Sequence, residues 1–359
     1  MSEDIKLFVS CHKLDTHIPD NALLQPIQVG AALAASRMPN LLHDDEGDSI
    51  SEKNRSYCEL TGQYWAWQNT DADYYGFLHY RRYFNFSKTE YPIHHEPFIF
   101  GDVTFDRNDD ETLQRIDFNE EAMRKVITAH DFIAPEPIEA LEKTTVYEQY
   151  RDSFGHHIED LDTVMDNIRL KYPDIWPSAQ KYLNQTKVYV CNMFVMRREL
   201  FRAYSAFLFD VLSTHEKMRD FSHYSPVARR VSGYLGERIC GMYLTYLYDK
   251  GYDGIDLQRV YFRNTDDGQR PATATGTTGE IETLNFDATV RGPGKIYSAI
   301  HVEHLSDDWQ FRISSTTSDG KQVPAKVVQA ASGPVAVFPI VAQSQTVSVS
   351  AVDADGRTR

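Results

Sequence analysis

The sequence predicts an α/β domain with a mostly parallel sheet, followed by a smaller all-β domain of sandwich type. Three observations carry this. Short apolar runs such as Ile5–Ser10, Tyr74–Leu78 and 131–135 suit strands buried on both faces. Between them lie stretches with apolar residues every three or four positions, the spacing of helices. After Phe262 the text changes to short alternating runs separated by Gly, Ser, Asp and Pro, as in a sandwich. The expected division is 1–263 for the α/β domain, 264–280 for a Gly/Thr-rich linker and 281–359 for the β domain. A chain of 359 residues is long enough for both.

Taken in order, Ile5–Ser10 reads as the first strand, with His12 and Lys13 at its carboxyl end. A small-residue segment follows Pro26–Gly30 and includes Gln28. The acidic turn Asp44, Asp45, Glu46, Asp48 precedes Ser49 and Glu52, which have the spacing of a capping box. Tyr57, Leu60, Tyr64 and Trp67 continue at helical spacing to a close at Asn69-Thr70-Asp71. The strand Tyr74–Leu78 then runs into His79, Tyr80, Arg81, Arg82 and Tyr83. Residues 85–120 are a polar excursion, and Asn119–Ala129 is a helix. A long helix is expected over Thr145–Leu170, with His156, His157, Asp160 and Asp162 off its apolar face. Val188–Met196 reads as a strand interrupted by Asn192. Arg197–Leu212 reads as an amphipathic helix, and Ile239–Tyr248 as another with Glu237 and Arg238 at its mouth.

Composition excludes several functions. A formal net charge of −15 argues against a nucleic-acid binder. No run reaches the roughly 18 apolar residues of a membrane span, and the acidic start is unlike a signal peptide, so a cytoplasmic protein with at most peripheral contact at the inner face of the plasma membrane is expected. The cysteines at 11, 58, 191 and 240 show no C-x-x-C spacing and read as free thiols. Neither G-x-G-x-x-G nor a P-loop pattern occurs.

Three long strings carry a resemblance: PIQVGAA (Pro26–Ala32), DDEGDSISEKNRSYCELTGQYWAWQN (Asp44–Asn69) and YYGFLHYRRYF (Tyr74–Phe84). With VYVCNMFVMRRELFRAYSAFLFDVL (Val188–Leu212) and GYLGERICGMYLTYL (Gly233–Leu247), they make roughly residues 4–262 similar to a bacterial family of domains of unknown function numbered 4422. Its members are usually described as glycosyltransferases of capsular, exo- and lipopolysaccharide synthesis. The resemblance implies sugar-nucleotide chemistry on a nucleotide-diphospho-sugar (GT-A-like) fold. The expected donor is a UDP-sugar, a hexose such as galactose, and the acceptor a saccharide or lipid-linked saccharide.

In an open α/β sheet, ligands bind beyond the carboxyl ends of the strands. Guanidinium groups there pair phosphate oxygens bidentately, so Arg81 and Arg82 are expected to hold the donor diphosphate, with His79, Tyr80 and Tyr83 shaping the pocket. The same residues also fit a solvated turn paired with surface acids. His12, Lys13, Gln28, Asp45, Asp48 and Asn54 complete the expected donor side. Asp71-Ala72-Asp73 resembles a metal-binding Asp-x-Asp but precedes its strand, so it reads as turn residues. The arginines then stand in for a divalent Mn or Mg ion, which the sequence does not favour. Glu237 is the leading catalytic carboxylate, with His157 and Asp160 beside it, and His156, Asn192 and Arg238 are assigned to the acceptor. A helix charge paired with arginine fits Glu237 as well. Two other readings stay open: a non-catalytic carbohydrate-binding protein, and a metal-dependent hydrolase using His156, His157 and Asp160.

Overall fold

The computed structural model describes residues 3–12, 17–96, 99–140, 143–153 and 155–265, and seven strands between 284 and 352. By contact the chain divides into two units. One comprises Met1–His95, Gly101–Arg151 and His156–Arg270; the other comprises Glu96–Phe100, Asp152–Gly155 and Pro271–Arg359.

The larger unit is a mixed α/β layer structure around one large, mostly parallel sheet. Its first strands are β1 (Ile5–Cys11), β2 (Leu24–Gln28), β3 (Leu42–His43), β4 (Tyr74–His79) and β5 (Arg82–Phe84). The polar excursion supplies β6 (Ile93–Glu96) and β7 (Ile99–Arg107). Then come β8 (Phe132–Pro135), β9 (Ile138–Glu139), β10 (Lys187–Val188), β11 (Phe194–Arg197), β12 (Gly254–Leu257) and β13 (Arg259–Asn264). β3, β2, β1 and β4 lie side by side in parallel. β11 is inserted antiparallel between β4 and β8, and β12 runs parallel to β8. β5 turns back from β4 at the pair His79 and Arg82, and leads through β13 to β7.

Alternation along the buried strands separates two cores. Leu7, Val9, Leu78 and Val195 face one side; Phe8, Tyr75, Phe77 and Phe194 face the other. Helices α1 (Asn54–Tyr57) and α2 (Leu60–Asn69) cover the second side through Tyr57, Leu60 and Trp65. Helices α3 (Asp110–Arg115) and α4 (Glu120–Ile127) cover the first through Leu113, Met123 and Ile127. Their starts are capped by Asp109, accepting from Thr112 N, and Asn119, accepting from Ala122 N. The second side is completed by α5 (Val146–Asp152), α6 (Ile158–Lys171), α7 (Trp176–Asn184), α8 (Arg198–Met218) and α9 (Val231–Asp249). Among the described residues no helix is long and apolar enough to cross a membrane.

Several elements depart from the periodicity reading, each for a local reason. Ser49 does not form a capping box with Glu52. Its Oγ accepts from Ser51 N and donates to Asp44 O, and a 3-10 turn over Ser51–Lys53 precedes α1. The helix then breaks at Cys58, whose φ is +52°, and Asn54 Nδ2 donates to the Cys58 carbonyl across the break. The helix expected over Thr145–Leu170 is two helices, with Gly155 at φ +74° in the bend. The apolar run Val188–Met196 is likewise not one strand: Cys191 and Asn192 are both left-handed, at φ +76° and +47°, and part β10 from β11. Finally, α9 begins at Val231, so Glu237 sits two turns inside the helix and not at its mouth.

The smaller unit is described as two antiparallel sheets. β14 (Leu284–Gly292), β15 (Lys295–Val302), β18 (Lys326–Ala330) and β19 (Gly333–Ile340) form one. β16 (Gln310–Thr317), β17 (Gln322–Val323) and β20 (Gln345–Val352) form the other. Most of the 264–280 stretch lies outside the described residues.

Candidate active site

Parallel pairing brings the carboxyl ends of β1, β2 and β4 to one edge, where Cys11 pairs with Gln28 and Ser10 with His79. β11, running the other way, starts at the same edge, so the turn Cys191–Asn192 just before it stands beside His79. That turn is a hub. The Cys191 carbonyl lies 2.6 Å from His79 Nε2, which therefore carries the proton. The Cys191 N–H donates to Glu237 Oε1 at 2.8 Å. Asn192 Nδ2 donates to Glu59 Oε1 at 2.7 Å and to the Gly233 carbonyl at 3.3 Å. A left-handed Cys costs of order 1 kcal/mol or more and persists only where neighbours hold it, which here they do from three elements.

Beside the hub lies a basic group on aromatic faces. The Arg81 guanidinium sits over the rings of Tyr80 at 5.3 Å and Tyr261 at 5.1 Å. It forms no ion pair among the described residues. Arg82 lies over Tyr261 at 4.8 Å, with its Nε 3.5 Å from Asp102. Asp102 is buried and bonded to the equally buried Arg259. Asp102 thus faces both Arg82 and Arg259, while Arg81 stands at the edge with its charge on aromatic faces. Burial pulls the His79 imidazole below its ordinary pKa, with Glu59 opposing and Arg82 and Arg259 reinforcing, so it is neutral near pH 7.

Glu237 has the opposite perturbation. Burial lifts its carboxyl above the usual range; Arg238 and the Cys191 N–H hold it back, while Glu59 pushes it up further. Its side chain is 25% exposed. A carboxylate raised towards neutrality is the form suited to exchanging a proton.

Residues 6–248 match the family described as Domain of unknown function (DUF4422). The chain belongs to that family. A solved structure titled "WbbM bifunctional glycosytransferase apo structure" is similar to this DUF4422 chain, with a TM-score of 0.68 and 30% identity over 73% of its length. The matched region spans 46% of the WbbM chain. No protein with a curated description matches.

The structure brings together His79, Tyr80, Arg81, Arg82, Asn192 and Glu237, and His12 joins them edge-on to Tyr80 at 5.0 Å. Lys13 lies outside the described residues. Other expected residues fall elsewhere. Tyr83 is fully buried, stacked on Phe118 at 4.5 Å, because β5 carries it with Phe84 into the core. Gln28 is buried with its amide occupied by Ser36 O and Met38 N, so it braces a loop. Asp45 pairs with Arg37 at 2.8 Å, and Asp48 is tied to Asn69 and Tyr64 at the far end of α2. Asn54 bridges the α1–α2 break, where Gly30 at φ +69° fits because a Cβ would lie 2.6 Å from its side chain.

The His156–Asp160 group is also redistributed. His156 precedes α6, so the two are not one helical turn apart. Its ring lies between Tyr150 and Tyr234, each 4.3 Å away, and burial with the nearby Arg238 lowers its pKa to about 3. His157 stacks on Tyr224 at 4.3 Å. Asp160 is sealed from solvent, accepting from His215 Nε2, Arg219 Nε and the Tyr224 hydroxyl at 3.0, 3.1 and 2.9 Å. Arg238 is 2% exposed, with Nη2 on Gln149 Oε1 and Nη1 3.6 Å from Glu237. Among the described residues no three His, Cys, Asp or Glu side chains gather into a metal-holding group.

Sequence reasoning did not single out Glu59, Asp102, Arg259 or Tyr261, and it took Asp44 only as one of the four acids of a turn. Asp44 is fully buried and accepts from the Gly30 and Ala31 N–H groups and from Ser51 Oγ, fixing the loop after β2. Its buried role was hidden in a run of four acids. The Gly233/Gly236 spacing was a usable signal for Glu59. A Cβ at Gly233 would sit 2.9 Å from Cys58 Sγ, and one at Gly236 2.6 Å from Leu60 Cδ1, so these glycines let α9 press on the break that carries Glu59.

Proposed function

We propose that this chain is a glycosyltransferase of GT-A type. In this reading it transfers a sugar from a nucleotide-diphosphate donor, a UDP-hexose such as UDP-galactose, to a growing cell-surface polysaccharide or its lipid-linked precursor. The observation that carries the reading is the opposition of two groups at one sheet edge. Arg81 offers a cation on two tyrosine faces with no ion pair among the described residues, and Glu237 offers a partly exposed carboxyl held by the Cys191 N–H. Membership of the family and the likeness to WbbM support it.

The chemistry follows from charge. As the bond from anomeric carbon to diphosphate breaks, negative charge grows on the leaving oxygens, and Arg81 with Arg82 stabilises it. Glu237 takes the proton from the acceptor hydroxyl as that oxygen bonds to the anomeric carbon. In this reading arginines take the place a divalent ion holds in many enzymes of this fold; among the described residues no three His, Cys, Asp or Glu side chains gather to hold one. The two antiparallel sheets beyond 280 are read as a β-sandwich accessory domain, and action at the inner face of the plasma membrane fits a lipid-linked acceptor. A thermal-shift screen against UDP-, GDP-, CMP- and dTDP-sugars, followed by product analysis with the stabilising donor, tests the reading. Stabilisation by a UDP-sugar with transfer to a saccharide acceptor is the expected result. Saccharide binding without turnover of any nucleotide sugar replaces the reading with a carbohydrate-binding protein.

A further inference from the structure

Three non-glycine residues with positive φ meet where α9 crosses the α1–α2 break: Cys58, Cys191 and Asn192. Each backbone distortion serves a carboxylate. Cys58 ends α1 so that Glu59 stands at the start of α2, facing the hub; Cys191 turns its N–H onto Glu237; Asn192 turns its amide onto Glu59. Two consecutive left-handed residues thus hold two carboxylates from two different helices. The α9 glycines permit the approach, since a Cβ at Gly236 would lie 3.4 Å from Asn192 Oδ1 as well as against Leu60. The six-residue string Gly233–Arg238 and the polar Asn192 inside an apolar run therefore answer to one arrangement.

We propose that Glu59 is a second, positioning carboxylate of this site, acting through Asn192 to seat Glu237 against the acceptor hydroxyl. The proposal rests on the glycosyltransferase reading for what Glu237 does, but not for how Glu237 is held. Glu59 does not touch the reacting atoms here. It anchors the Asn192 amide, and so the turn whose preceding N–H fixes Glu237, while its negative charge favours the protonated form of its partner. The charged groups facing Glu237 are Arg238 on its own helix, Arg259 from β13 and Glu59 from the α1–α2 break. Cys58, Cys191, Cys240 and Tyr182 also border it, but burial raises all four, so they stay neutral through the working range. Among the charged groups facing Glu237, Glu59 is thus the anion that pushes it towards its protonated form.

Glu59→Gln separates charge from structure, because the amide oxygen still accepts from Asn192 Nδ2. The full chain is labelled with ¹³C at the glutamate carboxyl and titrated by NMR. One resonance should titrate above the ordinary glutamate value of about 4.3, vanish in Glu237→Gln, and move to lower pH in Glu59→Gln. In kinetics with the stabilising nucleotide sugar, the acid limb of kcat/KM should move down by the same amount, with donor KM unchanged. Asn192→Gly keeps the left-handed backbone and removes the amide; kcat should fall by up to about 10²-fold with donor KM unchanged, the cost of a misplaced base. A folded Glu59→Gln chain whose Glu237 resonance and pH profile do not move overturns the pairing. So does an unchanged kcat in Asn192→Gly. A moved resonance in a chain that transfers no sugar keeps the pairing and overturns the glycosyltransferase reading instead.

Discussion

The end of β4 and the bend between α5 and α6 look alike in sequence: each sets histidine beside tyrosine and charge within a few residues. In the fold they are opposites. Asp160 collects three donors and is closed to water, and His156 is wedged between two tyrosine rings. Arg81 ends on two aromatic faces with no carboxylate partner among the described residues. The difference is where the backbone leaves them. β4 is buried and delivers its last residues to the open edge of a sheet, whereas the first turn of α6 leaves Glu159 outside and turns Asp160 inward against α8. A charged cluster marks a ligand site when its charges are left uncompensated; when they are compensated, it marks a joint.

The largest effect expected from this contrast is on stability. Asp160→Ala leaves His215, Arg219 and Tyr224 without their common acceptor, and breaking such a buried group costs about 3–5 kcal/mol. Denaturant midpoints would show it, while nucleotide affinity of the folded fraction should be unchanged. Acid should do the same work. Burial pushes the Asp160 pKa up, but the bonds from His215 and Tyr224 and the Arg219 charge outweigh it, so the folded value is depressed. A depressed carboxylate contributes stability that is present above the unfolded pKa, near 3.9, and is lost as pH falls through the folded value. Acid unfolding should therefore begin below about pH 4 in the wild type and be less steep in the variant. Loss of nucleotide affinity in folded Asp160→Ala would break the distinction.

Next comes chemistry. Glu237→Gln keeps an acceptor for the Cys191 N–H, so the fold and donor binding should persist while turnover falls by about 10²-fold or more. A sharp drop in melting temperature with unchanged activity per folded molecule would make Glu237 structural. The donor side should respond less. Arg81→Ala removes one charge-assisted contact, worth about 1.5–3 kcal/mol, which lowers nucleoside diphosphate affinity by roughly tenfold to a hundredfold. Lysine should restore only part of it, because a point charge cannot reproduce the bidentate fork. Calorimetry with and without chelator reads both, and binding abolished by chelator alone would transfer the role to a metal.

The strand β4 was legible beforehand because it is a local object. Its apolar run sets a buried strand, and a strand's carboxyl end in a parallel sheet sets a ligand edge. Glu237 was legible as a residue, but not its place two turns inside α9, since nothing in the text marks Val231 as a start. What stayed hidden depends on contacts distant in sequence. Asn192 to Glu59 spans 133 positions and Arg259 to Asp102 spans 157. No periodicity encodes such pairs. Tyr83 failed for a nearer reason: the chain reverses at Tyr80–Arg81, and the short strand that follows carries Tyr83 and Phe84 into the core.

The smallest expected effect sharpens the comparison at the other end of the same strand. Asp71-Ala72-Asp73 has the composition of a metal-binding motif, yet it lies where β4 begins. Asp73 Oδ2 accepts from the Asp4 N–H at 2.8 Å and its Oδ1 from Arg198 at 3.0 Å, while Asp71 pairs with Arg202 at 3.2 Å. These are exposed or half-exposed pairs, each worth about 0–1 kcal/mol. The strand rises about 3.3 Å per residue, and its 6 residues, Tyr74–His79, carry the chain from this turn to the basic end. Replacing both aspartates with asparagine should therefore lower stability by no more than roughly 1–2 kcal/mol and leave turnover and its response to Mn or Mg unchanged. Parallel assays of the double variant and the wild type across a metal titration would check it. A lost metal response or lost turnover would mean that the acidic end of β4, and not the basic one, holds the donor.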